Sequence, residues 1–364
     1  MSDDFVTRLQ LQLREAALRQ ERRGPIARSA LRARWSLPGA GPVMAAVAVA
    51  LLALAAMLGA LVLRSEPEPA RPKVIGSYRV AAGLSPLAAG FGSVWTADPI
   101  RGEVLRIDAA TRRVVARIPV GGDARVTTGP DAVWAVAGDL LYSGDVGPVR
   151  LLRIDPATNR IVARIRLRTP AGAPFAPLGV QVDGGVVWAV GLDGAFRIDA
   201  ARNVGDRYVP LSGPAGDPRA VVADGDRLWV LTGRGRLVAY DARTGSAGRA
   251  VRVEGAAPSY LFGGPPGALL ALMGKSRLAL LEPATGRVRW RTTFGADLGW
   301  TLVDGAALWV QFSGGEAAHL VRVDVESGRR LGQVDLPEPG VAGMAKVGGD
   351  VWVATPGGRI VVVR

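Results

Sequence analysis

Residues 103–118 read EVLRIDAATRRVVARI, and residues 150–165 read RLLRIDPATNRIVARI. In both, an apolar run ends on an acid (Asp108, Asp155), a few small residues follow, and a second run leaves with apolar and polar positions alternating. That period of two is the mark of a strand with two unlike faces, and a carboxylate heading the intervening turn can accept hydrogen bonds from the backbone N–H groups that follow it. The same strand, turn and strand return as RIDAARNVG at Asp199, AYDARTGSA at Asp241, LLEPATGRV at Glu282 and RVDVESGRR at Asp324. A second signature, a short triplet ending in Trp, precedes each turn and recurs once more near the C-terminus. Its last residues are Trp95, Trp134, Trp188, Trp229, Leu270, Trp309 and Trp352, at spacings of 39, 54, 41, 41, 39 and 43.

Seven units of about 40 residues, each with room for four short strands, predict an all-β fold, a seven-bladed β-propeller over residues 74–364. In the first unit, Pro86–Gly90 is the expected innermost strand, followed by Ser93–Ala97, Glu103–Asp108 and Arg113–Val120. The seventh unit has only three (Val341–Val347, Asp350–Thr355 and Gly358–Val363), so Val74–Val80 is expected to supply its outer strand and close the ring, leaving no open edge between the chain's two ends. The repeated Trp and Leu270 hold one register throughout, which predicts a structural role, packing between neighbouring blades.

The pattern G-x-VW-x-A…RIDPAT-N/G-R-V-x-A-x-IPVG resembles the seven-bladed propellers of the YVTN and streptogramin-lyase-like group. LEPATGRVRW, from Leu281 to Trp290, resembles the pyrroloquinoline-quinone-type repeat of scaffold propellers. The resemblance covers residues 74–364. It implies the fold and leaves the function open, since such propellers include enzymes, carriers and scaffolds.

Ahead of the repeats, residues 43–63 (VMAAVAVALLALAAMLGALVL) hold no charged, amide or hydroxyl side chain. At about 1.5 Å per helical residue they reach roughly 30 Å, which predicts a transmembrane helix over 42–63. Arg22, Arg23, Arg28, Arg32 and Arg34 precede it, whereas Arg64, Arg71 and Lys73 on the far side are diluted by Glu66 and Glu68. The positive-inside bias then places the N-terminus in the cytoplasm and the propeller outside the cytoplasmic membrane, with the helix an uncleaved signal-anchor. Within the tail (1–41), Phe5, Leu9, Leu13, Ala16 and Ala17 form one stripe of a short amphipathic helix, suited to the inner leaflet or to a cytoplasmic partner. Residues 64–73, RSEPEPARPK, read as a stiff Pro-rich linker.

Composition narrows the function. The net charge is +13 and only Lys73, Lys275 and Lys346 are lysines, an Arg bias expected of a GC-rich bacterial genome. The cations are scattered without stacking aromatics, so no nucleic-acid partner is expected. With no Cys there is no disulfide, thiolate metal site or Cys nucleophile. Lyase-type propellers use histidines and an acid with Mg²⁺, and this chain has one histidine, His319, expected on the surface in the loop entering a third strand. Asp139, Asp145, Asp297 and Glu316 form no metal or paired-carboxylate spacing. No catalytic residue, metal or cofactor is therefore assigned, and the chain reads as a noncatalytic sensor or scaffold in a bacterial envelope. The alternative is a lyase-like or hydrolytic enzyme working at the top of the ring. A His, Asp and Glu cluster at the channel mouth favours catalysis, and an apolar or Arg-lined mouth favours binding.

Topology names the top face, where second-to-third loops and blade-to-blade connections emerge. Two insertions fall there, residues 138–150 (GDLLYSGDVGPVR) and 168–177 (RTPAGAPFAP), and account for the 54-residue spacing. They are expected to expose Asp139, Leu140, Leu141, Tyr142, Asp145, Arg150, Arg168 and Phe175 to an envelope protein or ligand.

Overall fold

Apolar and polar alternation becomes seven antiparallel sheets of four strands each in the computed structural model. It describes residues 71–138, 149–191, 193–211, 216–255, 257–314 and 317–364. The expected tail helix, the transmembrane helix and most of the Pro-rich linker lie outside the described residues. Among those residues no helix is long and apolar enough to cross a membrane.

After β1 (Val74–Arg79), blade 1 runs β2 (Ala88–Gly90), β3 (Ser93–Asp98), β4 (Glu103–Asp108) and β5 (Val114–Pro119). Blade 2 is β6 (Asp123–Thr128), β7 (Val133–Gly138), β8 (Arg150–Asp155) and β9 (Arg160–Ile165), and blade 3 is β10 (Gly179–Asp183), β11 (Val186–Val190), β12 (Gly194–Asp199) and β13 (Val204–Pro210). Blade 4 is β14 (Pro218–Asp224), β15 (Arg227–Thr232), β16 (Arg236–Asp241) and β17 (Val251–Arg252). Blade 5 is β18 (Tyr260–Gly263), β19 (Leu269–Met273), β20 (Arg277–Glu282) and β21 (Arg287–Thr293). Blade 6 is β22 (Asp297–Asp304), β23 (Ala307–Gly314), β24 (Ala317–Asp324) and β25 (Arg330–Asp335), and blade 7 is β26 (Gly343–Val347), β27 (Asp350–Ala354) and β28 (Arg359–Val363). β1 completes blade 7 by pairing antiparallel with β28, Tyr78 opposite Ile360. The first inner strand is shorter than expected, because Pro86 has no N–H to give the ladder.

Seven hydrophobic clusters lie between blades, each built around one repeat residue. Trp95 joins blade 1 to Val126 and Leu152 of blade 2; Trp134 joins blades 2 and 3, Trp188 blades 3 and 4, and Trp229 blades 4 and 5. Leu270, Trp309 and Trp352 do the same for the remaining three interfaces.

Cross-strand register shows how each Trp is covered. Trp95, Arg106 and Ala116 share one row, as do Trp134, Arg153 and Ala163, and Trp309, Arg322 and Gly332. In each row the guanidinium lies over the indole, at 5.1, 5.6 and 5.9 Å from the ring centroid. Arg106 also reaches the next blade, donating to the Pro156 carbonyl and to Asn159 Oδ1, and Arg153 donates to the Ala200 carbonyl and Asn203 Oδ1. In blade 5 the row is Leu270, Leu280 and Trp290, and Trp290 Nε1 donates to the corresponding carbonyl, that of Val325, at 2.9 Å. Arg322 faces blade 7, whose third and outer strands come from opposite ends of the described chain with no acid turn between them, and its Nε is buried without a partner.

The acid turns explain their own variability. Thr111 N and Oγ1 both donate to Asp108 Oδ1 at 2.7 Å, and Arg112 N donates to the Asp108 carbonyl. Closing that loop puts Arg112 in the left-handed region, φ 60°, and the equivalent residues are Asn159, Asn203, Gly245, Gly286 and Gly328, all with positive φ. Gly and Asn tolerate that conformation, which is why they recur there.

Candidate binding surface

The innermost strands surround the axis, so alternate side chains on them face either the neighbouring blade or the channel. On β6, Ala124 and Val126 are buried while Arg125 is exposed; on β14, Ala220 and Val222 are buried while Arg219 is exposed. Most polar groups on these strands are used to tie blades together. Gln181 donates to the Val221 carbonyl and accepts from Ala223 N, both at 2.7 Å, and Lys346 Nζ meets Asp304 Oδ2 at 2.6 Å. Arg125 Nη1 donates to the Leu178 carbonyl at 2.9 Å, linking blades 2 and 3.

Beside the exposed Arg125 and Arg219, apolar and aromatic groups stay open to solvent. Leu178, Tyr260 and Trp300 are 41, 48 and 38% exposed, among the most exposed large apolar residues described. Tyr260 stands 5.1 Å from Phe262, and Trp300 Nε1 donates across to the Val341 carbonyl of blade 7 at 3.0 Å. Two cavities lie along the channel. One of about 790 Å³ is lined by Gln181, Asp183, Tyr260, Phe262 and Trp300, and one of about 180 Å³ by Arg125, Leu178, Arg219 and Tyr260. Leu178, Arg219 and Tyr260 all sit at or just before the starts of inner strands, which places them at the top end.

Of the residues expected to form a partner surface, Asp139, Leu140, Leu141, Tyr142 and Asp145 lie outside the described residues. Arg150 opens β8 and is exposed, and Arg168 is exposed with Nη1 donating to the Gly172 carbonyl of its own small hairpin. Phe175 corrects the expectation of exposure. It is buried between blades 2 and 3, 5.0 Å from Phe196 and 6.0 Å from Tyr208, because Phe175 N pairs with the Leu167 carbonyl and turns the ring inward. Tyr208 has its pKa raised by the same burial.

His319 lies inside β24 and not in the loop before it, its ring 4.9 Å from Phe312 and Nδ1 2.7 Å from Asp335 Oδ1. That contact and Gln333 hold the Asp335 carboxyl below its ordinary value. Asp297 meets Lys275 at 3.7 Å on the surface, and Glu316 is outside the described residues. Among the described residues no three His, Cys, Asp or Glu side chains gather where a metal ion could be held.

The channel residues were missed by the sequence reading, although a signal existed. Trp290 and Trp300 are the two tryptophans after residue 42 that fall outside the repeat register. One fills a blade interface and the other faces the channel.

A family model described as outer membrane protein assembly factor BamB, of the pyrroloquinoline-quinone-type repeat class, matches residues 100–247 and 252–364. The chain belongs to that family. The likeness therefore extends well beyond the single stretch at Leu281–Trp290, over nearly the whole ring. A comparison with curated proteins finds no match. Among solved structures, that of the computationally designed Ika8 protein is similar, with a TM-score of 0.55 at 13% identity, covering 79% of this chain and 98% of that one. At that identity the likeness speaks for the fold.

Proposed function

We propose that this chain is a membrane-anchored, extracytoplasmic propeller that acts as a noncatalytic binding or scaffold module in a bacterial envelope, taking a protein partner at the top of its channel. The observation that carries this reading is the channel mouth itself. Exposed Leu178, Tyr260 and Trp300 beside Arg125 and Arg219 give the apolar centre and cationic rim that protein interfaces use, with aromatics as anchors. Membership of a family described as an outer membrane assembly factor supports an envelope role. The apolar run at residues 43–63 and the Arg excess before it support anchoring with the N-terminus in the cytoplasm.

Photo-crosslinking residues placed at Tyr260 and Trp300 of the full chain in cells should trap a discrete protein adduct. The same probes at Val115 and Val162, exposed on outer strands, should not. Equal trapping at all four positions would remove the channel mouth as the site. An enzymatic activity of the purified chain that disappears in folded His319→Ala would overturn the noncatalytic reading. For the anchor, a reporter active only in the cytoplasm should work when fused before Val43 and fail after Arg364.

A further inference from the structure

Blade 4 lacks the side chain that seals the outer part of the interface in blades 1, 2 and 5. Where Arg106, Arg153 and Trp290 reach the turn carbonyl of the next blade, the row that begins at Trp229 continues with Ala239, which is too short to do so. The result is a groove of about 820 Å³ between blades 4 and 5, with Trp229 in its floor and Ala284 and Thr285 of the blade 5 turn on its far wall.

Arg227, Arg236, Arg249 and Arg252 line this groove, and all four are exposed. Among the described residues none of the four is in an ion pair, whereas Arg243, next to the groove, is paired with Asp226. The one acid in the lining, Asp241, is already engaged by Arg243 N, Thr244 N and Thr244 Oγ1. Arg236 and Arg252 are also directly opposite in the register of β16 and β17, where like charges repel. Four unmatched guanidinium groups, two of them opposed, make a site whose charge is complete only when an anion is bound.

The groove's length selects among anions. Its lining runs from Arg227, which stands opposite Asp241 in the strand register at one end of β16, to Arg236 and Arg252 at the other. A six-residue strand spans about 20 Å. With an apolar floor of Trp229, Ala239 and Val251, that shape fits an extended chain carrying both carboxylates and small apolar side chains better than a bare polyphosphate. We infer that the blade 4–5 groove is a second binding site, distinct from the channel mouth, for an extended acidic peptide segment of a partner protein.

The test uses the full chain in detergent and a fluorescein-labelled octaglutamate peptide, followed by anisotropy. Arg249→Ala with Arg252→Ala should weaken binding about tenfold or more, since each charge-assisted contact is among the stronger hydrogen bonds. Arg164→Ala with Arg166→Ala removes the same charge from an exposed outer part of blade 2 and should leave binding unchanged. Ala239→Arg decides between groove and general attraction. It adds a positive charge yet fills the slot as Arg106 does in blade 1, so binding should fall if the groove is the site and rise slightly if only net charge matters. Equal losses in the two double variants, tighter binding by folded Ala239→Arg, or displacement of the peptide by inorganic polyphosphate at far lower charge concentration would each overturn the proposal.

Discussion

If blade interfaces are sealed by rows and not by single residues, one row should be exchangeable for another. Trp290→Ala removes an indole that is only 9% exposed and orphans the Val325 carbonyl. Truncation of a buried Trp costs about 3–5 kcal/mol, to which the unpaired carbonyl adds about 1 kcal/mol or more. Leu280→Arg in the parent buries a guanidinium whose acceptor is already taken by Trp290, and Leu270→Trp crowds a site packed against Phe294 and Phe312, costing about 3 and about 2 kcal/mol. Summed as independent changes, the triple variant Leu270→Trp/Leu280→Arg/Trp290→Ala should lose about 9–11 kcal/mol, enough to unfold most proteins. Coupling along the row predicts a smaller loss. The triple variant rebuilds the order found at Trp95, Arg106 and Ala116, with the guanidinium introduced by Leu280→Arg placed to donate to the Val325 carbonyl as Arg106 does to that of Pro156. It should lie within about 3 kcal/mol of the parent, the remainder reflecting Phe294 and Phe312, which blade 1 lacks. Urea unfolding read by circular dichroism, comparing midpoints at matched slopes, measures this. A triple variant no more stable than Trp290→Ala alone would refute coupling along the row.

The closing strand and the turns lead to three further outcomes. Tyr78 Oη is buried without a partner and its pKa is raised by that burial, so Tyr78→Phe should raise stability by about 1 kcal/mol, whereas Tyr78→Ala, which removes the ring set 5.9 Å from Trp352, should cost about 3–5 kcal/mol in the same assay. Arg112→Asn should stabilise by about 0.5–1 kcal/mol by easing a left-handed residue, and an unchanged midpoint would mean that contacts of the Arg112 side chain over Gly76 offset the strain. Asp108, Asp155, Asp241 and Asp324 are held below 3.8 by N–H and hydroxyl donors in their own turns; a depressed folded pKa gives stability that is full above 3.8 and lost as pH falls through the lower folded value. The urea midpoint should therefore drop as the pH is taken below about 4, and a drop of the same size with all four changed to Asn would show that other groups cause it.

The ring was legible because its determinants repeat. A Trp that must meet the next blade, an acid that must cap its turn and a left-handed position that wants Gly or Asn recur seven or six times over, so chance departures at Leu270 or Arg112 do not hide the period. Counting strands also exposed the shortfall in the last unit that β1 fills. Phe175 misled for the opposite reason. It lies in an insertion without counterparts, and Pro and Gly on both sides read as open loop, while the hydrogen bond from its N–H to Leu167 that folds it inward is a contact no pattern announces.

The channel mouth and the blade 4–5 groove were hidden because each is defined by a residue that fails to match its equivalents in space. Tyr260 and Trp300 are ordinary aromatics in sequence; only their position on inner strands turns them toward the channel. Ala239 is ordinary too, and becomes informative once Arg106 and Arg153 are seen to occupy its place in two other blades. In a ring of near-identical blades, symmetry fixes what each position does for the fold, so a departure at a structural position either is compensated nearby, as Trp290 compensates for Leu270, or leaves a surface open. Trp229 has no such compensation, and the groove beside its row is lined by four arginines.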